Sequence, residues 1–392
     1  MRRGFYRVPD AEYPESMDPS SYLACRRPLI ASRMHEILQT SRTRLASVSP
    51  EAPDLFDRLS EYASGGKMLR GALACLGFEL YAPGASASRD FAAALDLAAA
   101  MEALQSGLLI HDDIMDGDET RRGKPTLHKA YADEALLAWN KATADTEETD
   151  PGRKKADAPQ KAEALGKALG ICAADVCYFI AWDIISILPA SVSGLCAKEL
   201  VKVCLAQMRD VRWGQSDTIP SAEAVLDMYR HKTARYTFSL PLVAGALLAG
   251  RPDAADALEG YGEAAGIVFQ LRDDSLGLFG DSDTIGKPVG SDIREGKKTL
   301  HHVLLRAAAS PEESARLAAI YGNPSIGSTE IDYVRALTTQ HGVTARVDEI
   351  EALYTDKAFK YLDALGLTKP APDPLLVDLL RQFADFASSR GK

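Results

Sequence analysis

Residues 89–128 read RDFAAALDLAAAMEALQSGLLIHDDIMDGDETRRGKPTLH, an apolar run that ends in His111-Asp112-Asp113 and is followed by Arg121, Arg122 and Lys124. Leu97, Met101, Leu104, Leu108 and His111-Asp112 recur at three- and four-residue steps, which predicts one long helix from Arg89 to about Asp116. Asp112 and Asp116 lie four residues apart, so both carboxylates project from one face of that helix. A charged helix end in solvent would account for an acidic pair alone. Ending an apolar run, with three cations close behind, this pair asks for a different reason, because ionised carboxylates are seldom left without a partner in apolar surroundings.

A second stretch, 270–290, reads QLRDDSLGLFGDSDTIGKPVG and places Asp273-Asp274 in another apolar helical pattern, 161 residues after the first pair. Hard cations held by carboxylate oxygen, with a polyphosphate completing the shell, suit both pairs. The basic residues downstream (Lys287, Lys297 and Lys298 after the second pair) then read as phosphate ligands. The second pair departs from the first at its fifth position, where Gly277 stands instead of an acid. The next acid on that face, Asp281, would lie roughly 12 Å along the axis and could hold only metal-bound water.

Composition narrows the class. The chain has 392 residues, 46% of them hydrophobic, with Ala- and Leu-rich stretches and few β-branched runs, which favours an all-α fold. A formal charge of −10 with no basic stripe argues against a nucleic-acid partner. Cys25, Cys75, Cys172, Cys177, Cys196 and Cys204 form no CxxC pair and read as small apolar residues in a reducing cytosol. The first residues, MRRGFYRVPDAEYPE, have no apolar core of a signal peptide, and no uninterrupted apolar run reaches membrane-spanning length. The expectation is a cytoplasmic protein with no transmembrane segment.

Residues 1–28 read as an N-terminal extension, loosely held over its first twenty positions, before one large domain over 29–392. Residues 140–162 (NKATADTEETDPGRKKADAPQKA) are polar and carry Pro151 and Pro159, so they read as a poorly ordered surface insertion. Helical patterns are predicted at 163–188 and 192–213, from Tyr229 to Leu248 with a kink at Pro241, and from about Ala254 to Phe279. Four or five amphipathic helices fill 297–390. Gly65-Gly66-Lys67 with Arg70 could form a helix N-terminus that binds an anion, although a glycine break before two solvated residues explains it equally well. Lys232-Thr233 and Gln270 sit in apolar surroundings, where each needs a polar partner.

GGKMLR, HDDIMDGDETRRGKPT, HKTARY, FQLRDD and IGKPVGSDIREGKKT, in this order and spacing, resemble the trans-prenyltransferases, or polyprenyl diphosphate synthases, over about 29–390 apart from the insertion. The resemblance implies an all-α single large helical bundle around a deep central cavity, a homodimer, and the joining of isopentenyl diphosphate to an allylic diphosphate with Mg²⁺, three ions per site. It implies that Asp112, Asp113 and Asp116 hold Mg²⁺ on one side of the allylic diphosphate, and Asp273 and Asp274 on the other. Arg121, Lys232, Lys287 and Lys297 resemble ligands of that diphosphate, with Thr233 and Gln270 near the reacting carbons. Lys67, Arg70, Gln105 and Arg122 match the isopentenyl diphosphate site, and Gln105 stands where many relatives have His. Two alternatives compete. A class I terpene cyclase would need no second diphosphate site, and a non-catalytic synthase subunit tends to lose the first motif, which is intact here.

Product length is read from the long helix. Gly107 and Leu108 precede Asp112 where relatives with short products usually carry aromatic rings, so Gly107 would leave an opening about 7 Å down the axis. Leu104 and Met101 are the next bulky residues, Met101 roughly 16 Å down, on the order of four isoprene units. This predicts a product of at least twenty carbons, geranylgeranyl diphosphate first, with farnesyl or longer polyprenyl diphosphates as alternatives.

Overall fold

The computed structural model describes residues 17–82, 89–144, 151–280 and 290–389. They are helical almost throughout, and the only strands among them are the two-residue arms of one hairpin, β1 (Thr120–Arg121) and β2 (Lys124–Pro125). Its turn needs left-handed backbone at both central positions, which Arg122 (φ 53°) and Gly123 (φ 74°) supply. The described residues fall into two compact units, one drawn from Met1–Ile30, Lys67–Ala98 and Ile185–Lys392, the other from Ala31–Gly66 and Ala99–Ile184.

The larger unit is built around a helix spanning Ala255–Phe279. In chain order its neighbourhood comprises the start of α1 (Pro19–Leu45) and then α3 (Leu69–Glu79). After them come α7 (Ala190–Gly214), α8 (Ala222–Tyr229), a π-helix over Arg230–Ser239 and α9 (Leu240–Leu248). The central helix is α10, followed by α11 (Ser291–Arg294), α12 (Leu300–Ala308), α13 (Pro311–Ile320), α14 (Ser328–Gln340), α15 (Val343–Leu365) and α16 (Pro374–Ser389). Val225, Ile267, Leu271, Val303, Val334 and Val347 are among the side chains buried where α8, α10, α12, α14 and α15 converge. Glycines on α10 let the π-helix approach: a Cβ on Gly262 or Gly266 would run into the Ser239 or Ala234 backbone.

The smaller unit contains α2 (Ala52–Ser64), the hairpin, α5 (Leu127–Ala144) and the greater parts of α4 (Arg89–Asp116) and α6 (Pro151–Ile185). Gly166, Gly170 and Ala174 recur every fourth residue along α6 and keep that face thin. A Cβ on Gly166 would stand 2.8 Å from Ala132 Cβ, and one on Gly170 would stand 2.9 Å from Ile114 Cδ1.

Three expectations change. The 140–162 stretch is not a loop throughout: α5 continues to Ala144 and α6 starts at Pro151, with 145–150 outside the described residues. Ala, Lys, Glu and Gln dominate the segment, all strong helix formers, and a proline is tolerated in the first turn of a helix. The supposed extension is helical from Pro19 and anchored. Tyr22 and Arg26 are buried on Glu79, with Tyr22 Oη donating to Glu79 Oε2 at 2.7 Å and Arg26 Nη2 to Oε1 at 2.5 Å. Finally, α4 and α6 each contain a stretch long and apolar enough to cross a membrane, Phe91–Asp116 and Asp157–Ile185. Neither stretch is an uninterrupted apolar run; both qualify through their mean hydropathy, 1.4 and 1.7. The α4 stretch is mostly buried, as a core helix is, whereas that of α6 is 39% buried.

Candidate active site

The first aspartate motif closes α4. Asp112 and Asp116 are partly exposed on one face, whereas Asp113, one residue round the helix, is buried. Asp113 accepts a hydrogen bond from Arg121 Nε at 2.5 Å and one from Tyr62 Oη at 3.1 Å, and it is ion-paired with the same guanidinium. Burial raises the Asp113 carboxyl above its ordinary value, against the pull of Arg121. The hairpin turns the chain back so that Arg121 reaches Asp113. Arg122, next in the turn, lies against Gly65, where a Cβ would stand 2.9 Å from its Nη1.

Asp113 thus anchors Arg121 in this arrangement, and Asp112 and Asp116 are the acids left partly exposed. Among the described residues no three His, Cys, Asp or Glu side chains are grouped to hold a metal ion. The donor set still fits Mg²⁺, an ion usually held through one or two carboxylates, with water and substrate phosphate completing its octahedron.

The second motif behaves alike. Asp273 is exposed and Asp274 buried at the core of the larger unit. Asp274 accepts from Tyr229 Oη and from Gln270 Nε2 (2.8 Å), and Gln270 Oε1 accepts from Thr233 Oγ1 at 2.7 Å. Tyr229 Oη in turn accepts the Leu300 N–H at 2.9 Å. Burial, then the nearby Asp292 charge, raise the Asp274 carboxyl well above its ordinary value. A Cβ on Gly277 would stand 3.0 Å from Asp292 Oδ2, so the space of the missing fifth acid is bordered by a carboxylate from α11. Lys287 and Asp281 lie outside the described residues.

Lys232 and Thr233 sit in the first turn of the π-helix. Lys232 is ion-paired with Asp210 of α7. Lys297 Nζ stands 2.6 Å from Glu295 and 3.8 Å from Asp292. Arg70, one residue into α3, donates from Nη2 to Thr237 Oγ1 at 2.7 Å, and its guanidinium lies 4.6 Å over the Tyr236 ring. Lys67 is exposed just before that helix, and Met68 between them holds a left-handed backbone, φ 53°. Tyr62, Asp210, Tyr229, Tyr236 and Thr237 went unread in the sequence. Tyr229, Tyr236 and Thr237 lie within one helical turn of Lys232 or Thr233, but an isolated Tyr, Thr or Asp carries no motif of its own.

Gln105, Leu108 and Leu109 continue the partly exposed face of Asp112 and Asp116 along a helix that is buried from Ala94 to Leu104. The strip stops at Leu104 (2% exposed) and Met101 (0%). The space beside Gly107 is not open: a Cβ there would meet Tyr178 Cε1 at 2.7 Å and Ala174 O at 3.0 Å. Gly107 is therefore the seat of an aromatic ring from α6, a partner that the spacing along α4 could not reveal.

The polyprenyl synthetase family model matches residues 53–146 and 150–338. A short chain isoprenyl diphosphate synthase of Methanocaldococcus jannaschii is 31% identical over 273 residues, covering 68% of this chain and 71% of that protein. The geranylgeranyl diphosphate synthase of Saccharolobus solfataricus is 28% identical over 332 residues, 84% of this chain and 88% of that one. Among solved structures, a geranylgeranyl pyrophosphate synthase from Corynebacterium glutamicum, complexed with isoprenyl diphosphate and magnesium, superposes with a TM-score of 0.80 at 29% identity. It covers 95% of this chain and 100% of that one. The all-α fold and the two aspartate motifs are those of an isoprenyl synthase. The chain belongs to the polyprenyl synthetase family.

Proposed function

We propose that this protein joins isopentenyl diphosphate to an allylic diphosphate in the presence of Mg²⁺ and that elongation ends at geranylgeranyl diphosphate. The strip on α4 carries this reading. It starts with two carboxylates on one face and continues through Leu109, Leu108 and Gln105 to buried Leu104, which suits a charged head and a prenyl tail. From Asp112 to Leu104 is about 12 Å of helix, room for roughly three isoprene units. A fifteen-carbon allylic tail fits and is extended once more, whereas a twenty-carbon tail does not fit as a substrate.

Asp112, Asp116 and Asp273 would hold the metal, three ions being the number the family resemblance implies. Bound Mg²⁺ supplies positive charge against the departing diphosphate. Asp113 fixes Arg121, and Asp210 fixes Lys232, so both cations can meet the allylic diphosphate without a large loss of side-chain freedom. Lys297 joins them. Thr233 and Gln270, locked to Asp274, form a polar edge for the developing carbocation, and apolar side chains around the tail would exclude water that would quench it. Lys67, Arg70, Gln105 and Arg122 bind isopentenyl diphosphate. The proton lost after carbon–carbon bond formation goes to the released pyrophosphate. The six cysteines are all free, which suits the cytoplasm.

We also infer a homodimer. Phe179 on α6 is 73% exposed, and on α7 Leu205 and Val201 are 60% and 59% exposed, more apolar surface than these helices would leave to water.

The decisive experiment is incubation with isopentenyl diphosphate, each allylic starter and Mg²⁺, with chromatography of the products. Asp112→Ala should keep the fold and lose at least a hundredfold in turnover, on the order of 3 kcal/mol of transition-state stabilisation. Near-normal turnover in that variant would remove the metal assignment.

A further inference from the structure

The π-helix over Arg230–Ser239 serves both proposed diphosphate sites: Lys232 belongs to the allylic one, and Thr237 holds Arg70 of the other. In a helix with i→i+5 bonds, residues five apart lie near one face, as residues four apart do in an α-helix. Rewound as an α-helix, Lys232 and Thr237 would stand roughly 140° apart. Lys232 is ion-paired with Asp210 of α7, while Thr237 accepts from Arg70 of α3, so an α register could keep one of these contacts but not both. Pro241 removes a single α-helical bond, which explains where the wide helix ends but not a run of ten residues.

Arg235 supplies the missing constraint. It is buried, 7% exposed, and its Nε and Nη2 donate to the two carboxylate oxygens of Glu199 on α7 at 2.7 and 2.8 Å. Its Nη1 donates to Glu259 on α10 at 2.6 Å and to Glu263 one turn further on. Lys202 stands 2.8 Å from Glu199 and Arg230 3.4 Å from Glu263, so three carboxylates face three cations. Between the acids, Gly262 and Gly266 admit the Ser239 and Ala234 backbone, and Gln270 meets Thr233 on the same stripe of α10. One planar fork therefore ties the π-helix to two neighbouring helices at once, a geometry a lysine cannot reproduce.

We propose that Arg235 is a positioning residue for both substrates: tied to Glu199, Glu259 and Glu263, it holds the wide register that sets Lys232 and Thr237 in place together. The inference rests on the reaction proposed above. Arg235 acts through those two residues, so its loss should reach both diphosphates, whereas a change at Thr237 should reach isopentenyl diphosphate alone.

Steady-state kinetics of the full-length enzyme with isopentenyl diphosphate, a five-carbon allylic diphosphate and Mg²⁺ separate positioning from plain structural support. Support alone would lower the amount of active enzyme, and with it the apparent kcat, and leave both KM values as they were. Arg235→Lys keeps the charge and loses the fork, and it should raise both KM values at least about fivefold. Adding Thr237→Val to Arg235→Lys should raise the isopentenyl diphosphate KM by less than about twofold more, because that seat is already out of register. Arg235→Gln with Glu199→Gln, which removes one charge of each sign, should repeat the double rise. Wild-type KM values in either folded variant overturn the role of Arg235 and leave the reaction standing. The unmutated enzyme supplies a test that needs no variant: the Leu240 amide, bonded to Arg235 O, should exchange with deuterium as slowly as the buried amides from Val243 to Ala246. Exchange of Leu240 within seconds overturns the held register. An unmutated enzyme that condenses no starter overturns the reaction as well.

Discussion

Arg70 owes its position to two neighbours on one helix, the Thr237 hydroxyl at 2.7 Å and the Tyr236 ring beneath it. Thr237 is itself buried, so water cannot replace the bond if the hydroxyl is lost. A hydrogen bond to a charged group is worth about 1.5–3 kcal/mol. Thr237→Val keeps the volume and removes the acceptor. It should raise KM for isopentenyl diphosphate roughly tenfold with little change in kcat or in KM for the allylic substrate, and Thr237→Ser should restore it. Initial rates at varied concentrations of each substrate check this; an effect confined to the allylic substrate would move Arg70 to the other diphosphate. The same logic explains why each aspartate pair divides into an outer and an inner member. Neighbours on a helix face different ways, so Asp113 and Asp274 are carried inward, to Arg121 and to Tyr229, by the geometry that leaves Asp112 and Asp273 outside.

At the scale of elements, the π-helix over Arg230–Ser239 is the least predictable piece and one of the most consequential. The expected kink at Pro241 is replaced by a wider helix upstream of it, in which Leu240 N–H reaches back to Arg235 O. Pro241 has no N–H to continue the α-helical ladder, so the turn before it relaxes to longer-range bonds. Arg235 anchors the widened segment through Glu199, Glu259 and Glu263. The start of α12 is sensitive to acid. His302 Nδ1 lies 3.0 Å from the Lys297 carbonyl, which can only accept, so Nδ1 carries the proton, and the ring stacks on Tyr321 at 3.5 Å. Burial pushes His301 down to about 4 and His302 down to about 3 from an ordinary 6.5. A depressed histidine is neutral in the folded chain and protonated in the unfolded one below 6.5, so stability is full above that pH and declines as acid is added. At pH 5 each should cost about 2 kcal/mol. The melting temperature should fall from pH 7 to pH 5, and fall less in His302→Leu than in wild type when each is compared with its own value at pH 7. Equal declines would show that His302 does not titrate on unfolding.

At the scale of the molecule, the chain ties its first helix into the larger unit through a buried ion pair, Arg26 with Glu79, both side chains 1% exposed. Arg26→Ala leaves that carboxylate buried without its counter-charge and should cost roughly 3–5 kcal/mol in chemical denaturation, whereas Arg26→Met with Glu79→Leu should recover most of it. A loss below 1 kcal/mol in the single variant would mean that water reaches Glu79. The exposed apolar surface gives an assembly test. Phe179→Asp should convert the proposed dimer to a monomer in sedimentation velocity at micromolar concentration, and an unchanged sedimentation coefficient would remove Phe179 from any interface.

The all-α class, the long helix to Asp116 and both aspartate motifs were legible in the linear chain, because helical periodicity and charged residues at the end of apolar runs are local signals. So were Lys232, Thr233 and Gln270 as residues in need of polar partners. The partners themselves were not. Asp210 for Lys232, Thr237 for Arg70 and Glu79 for Arg26 come from helices 22, 167 and 53 residues away, and no local pattern encodes which helix lies alongside which. Gly107 shows the limit most plainly. As a residue without a side chain it reads as an opening, but whether a glycine is a void or a seat depends on what packs against it. Here a face of small residues on α6 brings the Tyr178 ring onto it. The sequence alone determined the family and the chemistry of the motifs, through residue type and spacing; tertiary packing alone decided which acids turn inward and what covers Gly107, because close packing is a relation between segments distant in the chain.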